Sequence, residues 1–257
     1  RLVRDWSSDV CSSDLHRPGL GRRLIRPQPP PALIRIDEPV VGSVGTMPFG
    51  GDDFTMRSLL FAPGIRADVL AKLPRTSPSA AVIDLEDAVP PDRKAEARAV
   101  AQQVAPSLVK QVRLFVRVNA PDTGHFAGDV LEGLPPGLTG VAVPKLESAE
   151  AVDAVTAALD AAGHHDLAIA AGIETVTGVV DARAITTHPR VRWCYFGAED
   201  YVADLGGVRT SGNAEVATAR AQIGQAARLG AVPAVDLVVP ALAARVPRLP
   251  RAAPAPA

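Results

Sequence analysis

The chain has 257 residues, with 27 Lys plus Arg against 28 Asp plus Glu and a formal net charge of −1. That balance gives no basic field for nucleic acid or a membrane surface, and no run of about 18 apolar residues reads as a transmembrane helix. Two cysteines, Cys11 and Cys194, make neither a disulfide framework nor a zinc site, so the composition predicts a cytoplasmic protein long enough for one α/β barrel.

Residues 1–55 differ in character from the rest of the chain. A Ser-Ser-Asp unit recurs, then a proline-rich stretch and a glycine-rich connector. They read as a disordered or non-native N-terminal extension, with Met56-Arg57-Ser58 as the natural start of the domain and Asp52 and Asp53 as solvated linker residues. Strands are predicted at Ser58–Pro63, Ala80–Leu85, Leu114–Val118, Gly140–Val143, Leu167–Ile173, Trp193–Phe196 and Ala234–Val239. Between them, helices are predicted at Arg66–Leu73, Asp92–Val104, Ser148–Ala162, Thr177–Thr186 and Ala214–Leu229. Ser148 is the expected N-cap of the third, and Gly230 the expected C-cap of the last. Trp193–Phe196 opens into a Gly-Ala-Glu-Asp turn, with a second acid-plus-glycine turn at Asp204–Gly207. Cys194, inside that run, reads as a small buried residue. Residues 240–257, rich in Pro and Ala, read as a disordered tail.

Strands alternating with helices imply a parallel sheet covered on both faces, and seven of them favour a (β/α)8 barrel over a doubly wound sheet. The barrel, residues 56–239, is expected to be truncated after its seventh strand. In a barrel, catalysis sits just past the strand ends. The groups there are Glu86 and Asp87, Arg117 with Asn119, Lys145 with Glu147, Glu174, and Glu199 with Asp200. None of the five histidines and no Ser or Cys nucleophile falls at a strand end. Acids plus Arg without His suggest a hard-metal site, with Glu174 and Asp200 as the metal pair. The plainer alternatives are helix caps for Glu86 and Asp87 and salt bridges for Lys145 and Glu147. Arg117, inside an apolar run, demands a partner or a bound anion.

The segments RSLLFAPG (57–64), VIDLEDAVPPDRKAEAR (82–98), FVRVNAP (115–121), VAVPKLESAEAV (141–152), GIETVTGVVDARAI (172–185) and FGAEDYVADLGG (196–207) together resemble the citrate lyase beta-subunit family, the acyl-CoA ester lyase branch of the HpcH/HpaI-type aldolases. The resemblance implies a (β/α)8 barrel and a Mg²⁺-dependent carbon–carbon lyase. Such an enzyme acts by retro-aldol chemistry on a 3-hydroxy acyl-CoA such as citryl-, malyl- or citramalyl-CoA, giving a 2-keto acid and an acyl-CoA. It implies Glu174 and Asp200 as Mg²⁺ ligands and Arg117 as the group that holds the substrate carboxylate or keto oxygen. Gly197 and Ala198 would border the substrate, with Glu86 and Asp87 placing water or supporting the metal, and Arg66 and Lys94 within reach of CoA phosphates. It also implies a homo-oligomer, trimer or hexamer. Family members continue past the seventh strand with an Ile-His-Pro strand and a lid that supplies an acid. Neither motif occurs in residues 240–257, so impaired activity is expected. The alternatives are a binding or regulatory barrel fragment and a CoA-independent hydroxy-keto-acid aldolase.

Overall fold

A computed structural model of the chain describes Met56, residues 58–210 and residues 212–236. The expected N-terminal extension, the C-terminal tail and the last residues of the seventh strand, Leu237–Val239, lie outside the described residues. Seven parallel strands form one curled sheet in sequence order. They are β1 (Leu59–Pro63), β2 (Ala80–Asp84), β3 (Leu114–Arg117), β4 (Gly140–Val143), β5 (Ala168–Ile173), β6 (Val191–Phe196) and β7 (Ala234–Val235). The sequential parallel order, each strand beside the next, is that of a TIM-type barrel, and every strand carries its C-terminal end to the same rim.

Alternation along the strands divides the apolar residues into two cores. Ala80, Val82, Phe115, Ala142, Ala170, Trp193 and Tyr195 pack together on the concave face of the sheet. Phe115 and Trp193 meet edge to face at 5.3 Å, and Trp193 and Tyr195 are 5.9 Å apart. The other face carries the larger core, shared with the helices. The longest helix, α2 (Lys94–Leu108), shows why: Lys94, Ala97, Ala101, Ala105 and Leu108 recur at helical spacing, and the alanines let it lie close to the sheet.

The elements differ from expectation in five places. The first helix, α1, covers only Ala67–Leu70, and a 3-10 turn at Leu73–Thr76 follows it. Helix α2 runs four residues past Val104, because Pro106 sits on its exposed side in the last turn, where water can take the carbonyl the proline leaves unbonded. A seven-residue helix, α3 (Phe126–Glu132), was not expected. Helix α4 (Ala149–Ala161) forms as expected, its first turn closed by the Ala151 N–H on Ser148 Oγ. The single helix expected at Thr177–Thr186 is two, α5 (Val176–Val180) and α6 (Ala182–Thr186), broken at Asp181. The Gly-Ala-Glu-Asp turn is the start of α7 (Ala198–Asp204), with Asp200 in its first turn.

Helix α8 (Ala217–Leu229) follows a 3-10 turn and ends at Gly230 as expected, but the reason for the glycine is different. Gly230 keeps a right-handed φ of −75°, and Ala231 takes the left-handed conformation at φ 54°. Glycine is needed because a Cβ at 230 would lie 2.3 Å from the Thr186 carbonyl oxygen of α6. Thr186 Oγ1 donates to Ala226 O across the same seam at 2.9 Å. Gly230→Ala is therefore expected to cost about 1–3 kcal/mol in urea unfolding. Gly224→Ala, in the same helix with nothing within 4 Å of the added methyl, should stabilise by about 0.5–1 kcal/mol.

Candidate active site at the strand ends

The register places Asp84 at the end of β2 directly beside Arg117 at the end of β3. The pair is a bidentate fork. Arg117 Nε donates to Asp84 Oδ1 at 2.8 Å and Nη2 to Oδ2 at 2.7 Å. Asp84, 2% exposed, also accepts the N–H groups of Glu86 at 2.9 Å and Ala88 at 3.2 Å, which turns the chain out of β2. The turn carries Glu86 over the rim, where Oε2 lies 3.0 Å from Arg117 Nη1 and Oε1 accepts from Lys145 Nζ at 3.0 Å. Asp87 is 3.6 Å from Arg117 Nη1 and exposed. The Phe61 ring of β1 packs 5.3 Å from the guanidinium carbon. Burial alone would lower the Arg117 pKa, but Asp84 more than offsets this and holds the guanidinium firmly charged. Burial pushes the Glu86 carboxyl up, against the pull of Arg117.

Arg117 thus has the partner its buried position demands. That partner, Asp84, was not singled out in the sequence, where it reads as one more residue of the run AAVIDL. Lys145 pairs with Glu86, as the salt-bridge alternative held, while Glu147 is exposed. No side chain caps α2, so Glu86 and Asp87 are not its caps. One other expectation fails. Lys94 does not face solvent where a CoA phosphate could meet it; it is 7% exposed, and its Nζ donates to Leu85 O and Glu86 O at 2.7 Å each. Arg66 is exposed and paired with its near neighbour Asp68 at 2.9 Å.

Across the rim, Glu174 follows β5 and is 2% exposed. A Cβ at Gly197 would fall 2.6 Å from Glu174 Cγ and 2.7 Å from its Oε1, so only glycine at 197 leaves room for this carboxylate. Glu174 Oε2 is buried with no hydrogen-bond partner, as is the Tyr195 hydroxyl. Burial, followed by the charge of Glu86, raises the Glu174 pKa from 4.5 to about 8, and Asp200 adds to the push. Asp200 is half-buried at the start of α7, beside Ala198. Its neighbour Glu199 turns outward to Arg209 at 2.9 Å. Asp204, at the other end of α7, accepts the Val176 N–H at 2.7 Å and ties that helix to the segment after Glu174. Burial lifts the Cys194 thiol to about 12, so it is an inert core group, as expected.

Among the described residues, no three His, Cys, Asp or Glu side chains form a metal-binding group. What the rim offers a cation is a pair, Glu174 with its unpartnered oxygen and Asp200 close enough to raise its pKa. Two hard oxygen donors fit Mg²⁺, which keeps several waters and rarely takes an all-protein cage.

The model of the HpcH/HpaI aldolase/citrate lyase family matches residues 57–251. The chain belongs to this family. A citrate lyase subunit beta-like protein from Deinococcus radiodurans is 52% identical over 192 residues, 73% of this chain and 67% of that protein. The citrate lyase subunit beta of Haemophilus influenzae is 35% identical over 71% of this chain and 65% of its own length. The L-malyl-CoA/beta-methylmalyl-CoA lyase of Rhodobacter capsulatus is 31% identical over 58% of this chain, which spans half of it, 50%. Among solved structures, the Mycobacterium tuberculosis citrate lyase beta subunit complexed with oxaloacetate and magnesium superposes with a TM-score of 0.59 at 32% identity. That match covers 69% of this chain and 76% of the other. Among the described residues, no helix is long and apolar enough to cross a membrane.

The raised Glu174 pKa has a consequence for stability. Between pH 4.5 and about 8 the unfolded chain has lost this proton and the folded chain retains it, so stability falls as pH rises through that window. In EDTA, urea unfolding of the wild type should show this fall, at up to about 1.4 kcal/mol per pH unit. Glu174→Gln should lack that component and be the more stable protein at the upper end; equal slopes would contradict the assignment.

Proposed function

We propose that the chain carries the barrel of a Mg²⁺-dependent carbon–carbon lyase. Its substrate would be a 3-hydroxy acyl-CoA of the citryl-, malyl- or citramalyl-CoA kind, cleaved or formed with a 2-keto acid and an acyl-CoA as the other side of the reaction. One observation carries this reading: the charges at the rim do not balance. Asp84, Glu86, Asp87, Glu174 and Asp200 are five carboxylates around two cations, Arg117 and Lys145. The two cations are committed to Asp84, Glu86 and Asp87, which leaves Glu174 and Asp200 uncompensated. Burial and the neighbouring acids keep the Glu174 proton on up to about pH 8, and a divalent cation beside Glu174 and Asp200 would displace that proton and supply the positive charge a dianionic keto acid needs there.

Glu174 and Asp200 would hold the Mg²⁺ and leave up to about four octahedral positions for water and substrate oxygens. When bound, the ion polarises a carbonyl oxygen as a Lewis acid. Arg117 offers its Nη1 edge to the substrate carboxylate, because the Nε/Nη2 edge is taken by Asp84. Glu86 and Asp87 lie against that edge at 3.0 and 3.6 Å, so a substrate carboxylate competes with them for it, and they set how strongly it draws an anion. Gly197 and Ala198 line the pocket with main chain, since the space a side chain at 197 would need belongs to Glu174. The relatives named for oxaloacetate with magnesium and for malyl-CoA support this substrate class.

Isothermal titration of oxaloacetate into the chain is expected to show binding only with MgCl₂. Asp200→Asn or Arg117→Ala should weaken it by about 100-fold, the loss of one charged partner. Release of acetyl-CoA and a keto acid from citryl-CoA or malyl-CoA then identifies the thioester. No oxaloacetate binding with Mg²⁺ would favour a barrel retained for another role.

A further inference from the structure

Lys94 is the one charged residue on the sheet-facing stripe of α2. Its ammonium is met by two successive carbonyls, Leu85 O and Glu86 O, both at 2.7 Å. In an extended strand successive carbonyls point opposite ways, so their convergence fixes a turn at 85–86. Asn119 Nδ2 also donates to Leu85 O at 3.0 Å, and Asn119 is held by Asp129, which Arg98 grips at 2.8 Å. The other side of the turn is closed by Asp84, which accepts the Glu86 N–H.

We propose that Lys94 is a positioning residue that sets the anion-binding edge of Arg117, together with Lys145, by acting through Glu86. This rests on the function proposed above. The Glu86 main chain is pinned at its N–H by Asp84 and at its carbonyl by Lys94, so its buried carboxylate has little freedom. That carboxylate lies against Arg117 Nη1 and accepts from Lys145 Nζ. Removing the ammonium takes two bonds from the 85–86 turn, leaving Asn119 on Leu85 O and the Val89 N–H on Glu86 O, and loosens the hold of Glu86 on both cations. The Asp84–Arg117 fork does not depend on this contact, because it joins adjacent strands in register. Glu174 and Asp200 come from β5 and α7, on other elements. Loss of Lys94 should therefore leave Arg117 and Lys145 freer to take the substrate anion, which tightens its binding, and spare the metal pair. A lysine that only docks α2 would disturb both.

The test is a double-mutant cycle on the full chain, read by isothermal titration of oxaloacetate at saturating MgCl₂ and of MgCl₂ alone. Lys94→Met is expected to tighten oxaloacetate about tenfold, as Glu86 stops competing for one charge-assisted contact. Mg²⁺ affinity should stay within about twofold of wild type, and Lys94→Met/Glu86→Gln should bind no more tightly than Glu86→Gln alone. If oxaloacetate binds no tighter, if the two gains multiply, or if Mg²⁺ affinity changes in step with oxaloacetate, the proposal is overturned. If circular dichroism shows Lys94→Met unfolded, Lys94→Gln, whose amide can keep one carbonyl bond, carries the same cycle. Arg117→Ala separates the positioning role from the functional reading. If it loses oxaloacetate while Lys94→Met binds no more tightly than wild type, only the positioning role fails. If it binds as wild type does, the functional reading fails and takes the positioning role with it.

Discussion

A guanidinium buried at the end of a strand has to be answered by an acid, and the shape of the rim follows from how Arg117 is answered. Its side chain is 13% exposed, and Asp84 forks it from the neighbouring strand. The same Asp84 bends the chain through its hydrogen bonds to Glu86 and Ala88, so the residue that neutralises Arg117 also aims Glu86. Glu86 in turn reaches Lys145 beyond β4. Three strands are joined through one cluster in which the buried acids and cations cancel. Glu174, one strand further on, stands outside that balance.

Below the rim the barrel is filled by aromatic rings, and small residues on β4 and β5 make room for them. Gly140 and Gly172 are backed by Phe115 and Tyr195 so closely that a Cβ at either would meet a ring at 2.8 Å or less. Phe115, Trp193 and Tyr195 therefore close the floor, and the polar groups gather at the C-terminal ends of the strands. In a parallel barrel that is where the loops are free to vary without disturbing the core.

The strands were legible in the sequence because a sheet covered on both faces needs unbroken apolar runs, and AAVID, GVAV and AIAAGI are such runs. The need of Arg117 for a partner was legible for the same reason: a charge in an apolar run cannot stay alone. The partner itself was not, because pairing Asp84 with Arg117 depends on strand register, which the residue pattern of either strand alone does not encode. Lys94 was placed near CoA phosphates by resemblance, and its inward turn depends on where the 85–86 carbonyls point, which the residue pattern does not encode. Helices α3 and α7 were missed for want of length, since seven residues beside a glycine give less than two full turns of periodicity. Gly197 was placed beside the substrate by resemblance; the structure gives a reason for a glycine at that position, the Glu174 carboxylate behind it.

The central claim is that Glu174 and Asp200 form a carboxylate pair the protein leaves for a divalent cation. Electron paramagnetic resonance of Mn²⁺ titrated into the purified chain tests it without any turnover. The account predicts one bound Mn²⁺ per chain, competed by Mg²⁺, with a spectrum altered by oxaloacetate, and no bound ion in Glu174→Gln. Unbound Mn²⁺ throughout, or an undiminished bound signal in Glu174→Gln, would contradict it.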